Sequence, residues 1–560
     1  MFWEEYMKKD RNGNAVFDGD GNPMYVTNYD YVAGKIFFQN RGVGRYRLLD
    51  GNCEFIRRES PFVRKIEVDD ARDLMFRFAE TFCNRRINNM LLKGGAQYVG
   101  PFQMQRLDYI EPTFRKETRD LQYFYFKDNC WEITESGVTE RPYDSLSHDI
   151  WNDERTTFSG KYVGHKLVSF VKDAEGHVSY KFSEEGKKCH FLRFLENTSN
   201  FSWRKTQEQI TDEDRSENAL HLLSKLCAIG FLLMKYKDPN VARAVIGMDG
   251  KQSEVGESNG RSGKSLIGEL MRNIMPIVYI NGKKPDFFND AFIWNDIDER
   301  TRIVFIDDVL QNFNFEMLFP CITGDWTVNR KGGVRITYPL ETSPKLYIAT
   351  NHAIKGSGSS FTDRQWLIAF SDFYNDTHKP LDDFGQMFFH DWEFEQWNLC
   401  WNMCATCVQL YLEHGVVQAP GDRLEQRKRR QEIGESIIAF ADEYYSDEMH
   451  LNRAIPRREI YEAFQKNDPQ TAKFINQQLF KKKLKLYFDW KGLIFNPEKY
   501  DAISGLPLSF DKDGKPILDN KSGGVEYFTA GTRGAGNVGV QTEDPNDPLN
   551  VKGADGKLAF

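Results

Sequence analysis

Short apolar runs alternate with amphipathic segments in the middle of the chain. Ala242–Met248 is a run of this kind, and the segment after it, Leu266–Arg272, has apolar residues at helical spacing. Two further runs, Ile303–Asp308 and Pro344–Asn351, end in acidic or polar residues. Apolar runs of this length predict buried strands, whereas the spacing in Leu266–Arg272 predicts a helix. The pattern therefore predicts an α/β core.

The regions on either side of this core have different patterns. Hairpin-like segments surround a predicted helix near Val68–Ala79, and apolar residues at helical spacing through Glu213–Lys237 predict a helical pair. After the core, helix, helix and strand patterns are typical of a winged helix. The predicted regions are an α+β N-terminal region (1–205), a helical segment (206–239), the α/β core (240–412), a basic helical linker (413–432) that contains Arg423–Arg430, a winged-helix domain (433–500) in which Lys481–Lys483 could touch duplex phosphates, and a flexible tail (501–560).

A glycine-rich turn connects the first predicted strand to its helix. Backbone N–H groups of such a turn, together with the helix N-terminus, form an anion site. The lysine is expected to contact the β- and γ-phosphates of ATP, and the last serine to bind Mg²⁺. The first glycine of the usual phosphate-loop pattern is a serine in this chain. The predicted nucleotide-binding residues are Ser258, Asn259, Gly260, Arg261, Ser262, Gly263, Lys264 and Ser265.

Polar residues at the ends of the next two strands complete a candidate ATPase. Asp307 is expected to bind Mg²⁺, and Asp308 to polarise the attacking water. Asn351 ends the later strand and is expected to bond that water or the γ-phosphate. Arg364 follows the loop 355–359, which would expose it to a neighbouring subunit. The glycine-rich turn, the acidic strand end and Asn351 all lie between Ser258 and Asn351, a stretch of 94 residues. Apolar strands that end in Asp or Asn are also common in ordinary protein cores.

The order of these motifs resembles that of the superfamily III helicases, which are ring-forming AAA+ motors. The segment Gly324–Arg335 adds to the resemblance, because members carry a β-hairpin here whose lysine grips single-stranded DNA in the central channel. Lys331 matches that lysine, with Arg330 and Arg335 beside it. The resemblance implies a homo-oligomeric ring, expected to be a hexamer, with residues 206–239 as a helical collar. Without this context, the stretch would be a solvated hairpin with a basic tip.

Outside the core the chain resembles phage and large-DNA-virus primase-helicases. The segments that carry this likeness are Tyr123–Ile133, Gly44–Gly51 and Phe55–Arg58. The resemblance implies a helicase that translocates on single-stranded or forked DNA during replication of a phage, prophage or mobile element. Two other readings stay open. One is an ATP-dependent DNA-binding or assembly platform, and the other is a motor for genome packaging or anti-phage defence.

Composition sets limits on partners and location. The net charge is −8, so DNA contacts require a local basic surface and not the charge of the whole chain. No apolar run reaches the length of a membrane span, and the start of the chain lacks a signal pattern, which predicts no membrane partner. Nine cysteines without a regular framework fit a reducing compartment, here the cytoplasm of a bacterial host.

Two apparent metal motifs are better explained as structure. Cys400, Cys404 and Cys407 lie on an apolar helical stretch, so we expect buried core thiols and no zinc. Asp18–Asn22 has the D-x-D spacing of a primase metal pair, but it also has the composition of a tight hairpin turn. The chain therefore shows no primase site, and a separate primase or other replication protein is an expected partner.

Overall fold

The computed structural model describes residues 1–49, 51–250, 262–310, 313–352, 359–420, 429, 432–452, 455–495 and 527–532. These residues form two compact units, one up to residue 420 and the other from residue 429 onward. Among the described residues, no helix combines the length and the apolar character that crossing a membrane requires.

The N-terminal part of the first unit combines small antiparallel sheets with short helices. The sheets have the orders β1-β2, β3-β4-β5-β9, β6-β7-β8 and β10-β11. The elements are β1 (Trp3–Met7), β2 (Tyr25–Tyr29), α1 (Tyr31–Gln39), β3 (Val43–Arg47), β4 (Cys53–Glu59), β5 (Phe62–Lys65), α2 (Val68–Glu80), α3 (Arg85–Tyr98), α4 (Pro101–Met104), β6 (Gln122–Tyr125), β7 (Cys130–Thr134), β8 (Gly137–Arg141), β9 (Ile150–Trp151), β10 (Val168–Lys172), β11 (Val178–Phe182), α5 (Glu184–Lys188) and α6 (His190–Ser199).

The segment with D-x-D spacing forms a turn. Asp18 Oδ1 accepts hydrogen bonds from the backbone N–H groups of Asp20, at 3.0 Å, and Asn22, at 2.8 Å. A side chain that bonds the backbone two residues later stabilises a tight turn. The carboxylate is thus used to close a hairpin, as the composition of the segment predicted.

The remainder of the first unit contains the predicted α/β core. Its five-stranded sheet has the order β13-β14-β17-β12-β18, and all neighbouring strands are parallel. The elements are α7 (Asp212–Leu233), β12 (Ala244–Asp249), α8 (Lys264–Ile274), β13 (Ile277–Asn281), β14 (Ile303–Val309), α9 (Phe319–Thr323), β15 (Trp326–Val328), β16 (Ile336–Tyr338), β17 (Lys345–Thr350), α10 (Ser359–Thr362), β18 (Gln365–Phe370), α11 (Pro380–Phe384) and α12 (Phe394–His414).

Because these strands are parallel, their carboxyl ends lie at one edge of the sheet. β17 lies between β12 and β14, so the strand that ends beside Asn351 separates the strand before the glycine-rich turn from the acidic strand. The three sequence motifs therefore meet at one edge.

One helix, α7, occupies the segment in which the spacing predicted a helical pair. It begins with a capping box in which Asp214 N–H donates to Thr211 Oγ1 at 3.2 Å and Thr211 N–H donates to Asp214 Oδ2 at 3.1 Å. Its second half is buried on all sides and packs against α12. A helix that is apolar all round is a core helix. This explains why the apolar residues do not form the stripe of an ordinary amphipathic helix.

A buried lysine closes the C-terminal end of α7. The last carbonyl groups of a helix lack N–H partners within that helix, and a cation there is favourable. Lys345 is 3% exposed, and its ammonium donates to the carbonyl oxygens of Phe231, at 2.7 Å, and Met234. Burial lowers the pKa of Lys345 well below its ordinary value. The start of β17 is thereby fixed to the end of α7.

The thiols of Cys400, Cys404 and Cys407 are fully buried on α12, so the prediction of core cysteines is confirmed. Burial raises the pKa of each thiol. A thiol kept protonated in this way packs as a small apolar side chain.

The described residues of the second unit form three main helices and two short strand pairs. The elements are α13 (Glu435–Tyr444), β19 (Ile455–Pro456), α14 (Arg457–Asn467), α15 (Pro469–Ala472), α16 (Gln477–Lys491), β20 (Ile494–Phe495), β21 (Tyr527–Phe528) and β22 (Ala530–Gly531). β19 pairs with β21 and β20 with β22, both antiparallel. Residues 527–532, which the composition assigned to a flexible tail, are therefore part of this unit. Phe528 and Ala530 are buried in its core, and their apolar side chains account for the difference.

Candidate nucleotide-binding site

The phosphate-loop lysine lies at the start of α8, directly after a glycine that the local geometry requires. Gly263 has φ +91°, and a Cβ there would lie 2.4 Å from Cζ of Phe194. Only glycine fits such a left-handed position without strain. The turn thus brings the backbone to the N-terminus of an 11-residue helix. The N–H groups and the dipole at a helix N-terminus attract anions.

Lys264 is buried and paired with a carboxylate that the sequence analysis did not include. Its ammonium forms an ion pair with Asp249 Oδ1 and lies 3.0 Å from Ser262 Oγ, which also donates to Asp249. Tyr347 donates its hydroxyl to the Lys264 carbonyl at 2.7 Å. A phosphate must therefore compete with Asp249 for the ammonium. Asp249 is the last residue of β12. A carboxylate at the end of the strand before the glycine-rich turn could have been recognised from the sequence as a possible partner of Lys264.

The side chains of Ser265 and Asp307 meet across the cleft. Ser265 Oγ donates to Asp307 Oδ1 at 2.9 Å. Burial raises the pKa of Asp307, and the neighbouring Asp308 raises it further, whereas Ser265 and Lys264 lower it. Mg²⁺ prefers oxygen ligands, commonly one or two carboxylates together with waters. This donor set and its excess negative charge fit that ion, which Ser265 and Asp307 would hold.

Asp308 has an unusual backbone conformation and two side-chain partners. Its φ is +59°, a region that costs about 1–3 kcal/mol for residues other than glycine. The pairing of β14 with β17 shifts register between Ile306 and Val309, which turns Asp308 out of the strand. Asn351 Nδ2 donates to Asp308 Oδ1 at 3.2 Å, and Lys283 forms an ion pair with Asp308 Oδ2.

Lys283 is a site residue that the sequence analysis missed. It follows β13, an apolar run Ile277–Asn281 whose carboxyl end lies beside that of β14. In the sequence, the apolar run Ile277–Asn281 followed by Lys283 and Lys284 could have indicated a strand that ends in basic residues. The cleft that Lys283 reaches through its ion pair with Asp308 has a volume of about 400 Å³. Its lining residues are Gly263, Lys264, Ser265, Leu266, Glu269, Asp307, Asp308, Ala349, Thr350, Asn351 and Pro380.

The segment predicted to grip DNA forms a hairpin, in which β15 and β16 pair antiparallel with Trp326 opposite Tyr338. Lys331 and Arg335 are exposed near its tip. Arg330 is half-buried and folds back onto the segment before β14. Its Nη2 donates to the carbonyl of Ile297 at 2.6 Å, and its Nη1 donates to that of Asn295. Arg330 thus braces the hairpin, and the exposed cations are Lys331 and Arg335.

Arg364 lies at the opposite edge of the sheet from the cleft. It immediately precedes β18, and its carbonyl accepts a hydrogen bond from Ala244 N–H at 2.9 Å, at the start of β12. Its guanidinium lies 4.6 Å from the ring centre of Phe319. A strand of six residues spans about 17 Å. Arg364 is therefore separated from the phosphate loop of its own chain by the length of β12.

Several predicted residues lie outside the described part of the chain. These are Ser258, Asn259, Gly260 and Arg261 of the phosphate loop, residues 353–358 before Arg364, and the basic stretch 423–430 except Arg429.

Comparisons with known proteins give limited likeness. No protein-family model and no curated protein matches the chain. The C-terminal region of NrS-1, in its A form without ligand, is similar at 13% identity and a TM-score of 0.27, over 68% of this chain and 85% of that one. A JCV helicase bound to a small molecule is similar at 11% identity and a TM-score of 0.20, over 46% of this chain and 65% of that one.

Proposed function

We propose that the chain is an ATP-hydrolysing DNA helicase that works as a homo-oligomeric ring, most simply a hexamer, on single-stranded or forked DNA during replication of a phage, prophage or mobile element. The observation that carries the proposal is the cleft at the carboxyl edge of the parallel sheet. A buried lysine, a serine hydroxyl, two carboxylates and an amide surround it. This is the set of groups that nucleotide hydrolysis requires.

Each residue has a role that its position supports. Lys264 and the α8 N-terminus would bind the β- and γ-phosphates, and Asn351 and Asp308 would orient the attacking water. When bound by Ser265 and Asp307, Mg²⁺ would neutralise charge that develops on the phosphate oxygens. Asp308 would accept a proton from the water, because it is the carboxylate that Ser265 does not engage.

The exposed hairpin tip supports DNA as the partner. The chain carries a net charge of −8, whereas Lys331 and Arg335 present a local positive site. Single-stranded DNA is bound by such local basic surfaces. The same proposal includes a winged-helix domain at residues 433–500 and a separate primase as partner.

Two substitutions test the ATPase. We expect Lys264→Ala to lose both nucleotide binding and turnover, because it removes the charge that holds the phosphates. Asp308→Asn is expected to bind ATP normally but not to hydrolyse it, since Ser265 and Asp307 remain. Fluorescent-nucleotide titration and phosphate release measure the two properties. Equal loss of ATP affinity in both variants would contradict these roles.

A folding control is needed because Lys264→Ala leaves Asp249 buried without its cation, which costs about 3–5 kcal/mol when a buried pair is broken. The double variant Lys264→Met/Asp249→Asn removes both charges. It should melt close to the wild-type temperature and still fail to bind nucleotide.

The Lys264–Asp249 pair also favours a second candidate function. A lysine held by its own carboxylate binds phosphate less readily, which suits an assembly platform with slow turnover. In that case Asp249→Asn would raise ATP affinity, and ATP would promote ring assembly without strand separation.

A further inference from the structure

Lys283 and Asn351 together engage both oxygens of the Asp308 carboxylate. The Lys283 ammonium pairs with Oδ2, and Asn351 Nδ2 donates to Oδ1 at 3.2 Å. A carboxylate needs a free lone pair in the direction of the water from which it takes a proton. Each carboxylate oxygen has a second lone pair, so the two contacts fix the orientation of the Asp308 carboxylate without blocking it. The ion pair with Lys283 holds that orientation as a resting arrangement.

The backbone before Lys283 is pressed against the acidic strand. Gly282 N–H donates to the Asp307 carbonyl at 2.6 Å, and a Cβ at Gly282 would lie 2.5 Å from Val309 Cγ1. Lys283 N–H donates to Asn281 Oδ1 at 2.9 Å. The position of Lys283 is thus set by the same strand that carries Asp308, and a shift of residues 282–284 moves the ammonium relative to the carboxylate.

Residues 283–297, which we name the relay segment, connect this ion pair with the protein hairpin formed by β15 and β16. Within the segment, Lys284 pairs with Asp290 at 2.5 Å. Asn329 Nδ2 then donates to the Ala291 carbonyl at 3.0 Å, and Lys331 N–H donates to Asn295 Oδ1 at 3.0 Å.

Electrostatic attraction also connects the relay segment with the hairpin tip, because Lys331 lies close enough to affect Asp290. The pKa of Asp290 is lowered chiefly by its bond from Lys284, and Lys331 lowers it further. A DNA phosphate at the hairpin tip would compete with Asp290 for the charge of Lys331. Displacement of the tip would also move Ala291 and Asn295 through their hydrogen bonds with Asn329 and Lys331.

We propose that Lys283 is a positioning residue that restrains Asp308, and that the relay segment releases it when single-stranded DNA occupies the hairpin tip. This inference rests on the proposed function. It makes ATP hydrolysis depend on DNA through contacts within one chain.

The size of the restraint follows from its exposure. The Lys283 side chain is 56% exposed and that of Asp308 37%. Ion pairs of this exposure shift an equilibrium only by about two- to fivefold. The restraint is therefore weak enough for DNA binding to overcome.

The test measures ATP hydrolysis with and without single-stranded oligonucleotide. We expect Lys283→Met to raise the basal kcat about two- to fivefold, because Asp308 is released without DNA. The DNA-stimulated kcat and the KM for ATP should stay at wild-type values, so that the stimulation ratio falls by the same factor. Lys283→Arg keeps the ion pair and should restore the wild-type ratio. Lys187→Met removes a similarly exposed lysine of a surface pair and serves as the control.

A second variant tests the relay segment itself. Asn329→Ala removes the bond to Ala291 but no charge, so DNA affinity should persist while the stimulation ratio falls. An unchanged ratio in this variant overturns the relay. A basal rate in Lys283→Met that is equal to or below the wild-type rate overturns the restraint. If wild-type protein neither hydrolyses ATP nor binds single-stranded DNA, the proposed function itself fails. Hydrolysis that DNA does not accelerate overturns only the relay.

Discussion

Glu154 links the N-terminal part of the first unit to the α/β core. Its carboxylate lies 2.6 Å from Lys235 Nζ, just after α7, and 2.8 Å from Arg302 Nη2, just before β14. Burial opposes ionisation of Glu154, but the two cations outweigh it and lower its pKa from 4.5 to about 2. The charges are thus paired, and removal of one partner leaves the others buried and uncompensated.

This pKa predicts how stability depends on pH. Because the pKa is lower in the folded than in the unfolded chain, the unfolded chain binds more protons between pH 4.5 and 2. The stabilisation is present above pH 4.5, where the shift corresponds to about 3 kcal/mol, and is lost as pH falls towards 2. We expect Glu154→Gln to melt several degrees below wild type at pH 7.

Calorimetry at several pH values measures the difference in melting temperature between wild type and Glu154→Gln. This difference should become smaller as pH falls from 4.5 to 3. Glu184→Gln, at an exposed surface pair, is the control and should change little at any pH. A difference that stays constant with pH would mean that Glu154 acts through packing and not through its charge.

For individual residues, the sequence predicted the groups of the cleft that belong to recognisable motifs, but not the charged side chains that pair with them. Lys264 and Ser265 were predicted from the glycine-rich turn, and Asp307 and Asn351 from the ends of apolar runs, and the structure brings these residues to one cleft. Asp249, which pairs with Lys264, and Lys283, which pairs with Asp308, were not predicted, because these pairings depend on which strands are neighbours in the sheet. Strand order is set by tertiary packing and has no local signal.

At the scale of elements, the close packing of α7 and α12 depends on one glycine. A Cβ at Gly230 would lie 2.0 Å from the Cys407 carbonyl oxygen. We expect Gly230→Ala to destabilise the first unit by about 1–3 kcal/mol, because the helices must separate, although alanine has the better helix propensity.

Gly95 in α3 provides the opposite control. A Cβ there would be 3.6 Å from Phe76 Cζ, an ordinary contact. Gly95→Ala should therefore stabilise the protein by up to about 1 kcal/mol. Thermal melting of both variants measures the contrast. Equal stabilisation by the two alanines would contradict the close approach of α7 and α12.

The sequence also predicted elements unevenly. The strands of the core follow from their apolar runs. The apolar spacing of Glu213–Lys237 was expected to form two helices, whereas the structure has one helix, α7, whose second half is buried on all sides. Residues 527–532 were expected in a flexible tail, because their short apolar stretch is surrounded by glycine, aspartate and asparagine. Both differences arise from packing partners that are distant in sequence.

For the whole molecule, the place of Arg364 predicts that active sites are shared between subunits. It lies at the edge of the sheet opposite its own phosphate loop, so in a head-to-tail ring it would act on a neighbour. An arginine supplied in this way is typically worth ~10³–10⁵ in rate. Arg364→Ala should therefore lose ATPase activity with its own phosphate loop intact.

Mixing Arg364→Ala with Lys264→Ala tests this sharing. Some interfaces in mixed rings combine an intact Lys264 with an intact Arg364, so partial ATPase activity should return. Each variant alone is the control. If no activity returns under conditions that allow subunits to exchange, Arg364 does not act on a neighbouring subunit.

Strand displacement on forked DNA decides whether the protein is a helicase, with wild-type protein and Lys331→Ala compared at saturating ATP. We expect ATP-dependent displacement by wild type and none by Lys331→Ala. In that variant single-stranded DNA binding should also be weaker, and its salt dependence flatter by about one unit for each lost phosphate contact. Basal ATP hydrolysis should persist in that variant. Hydrolysis of ATP by wild type without displacement of either strand, or full displacement by Lys331→Ala, would contradict the account.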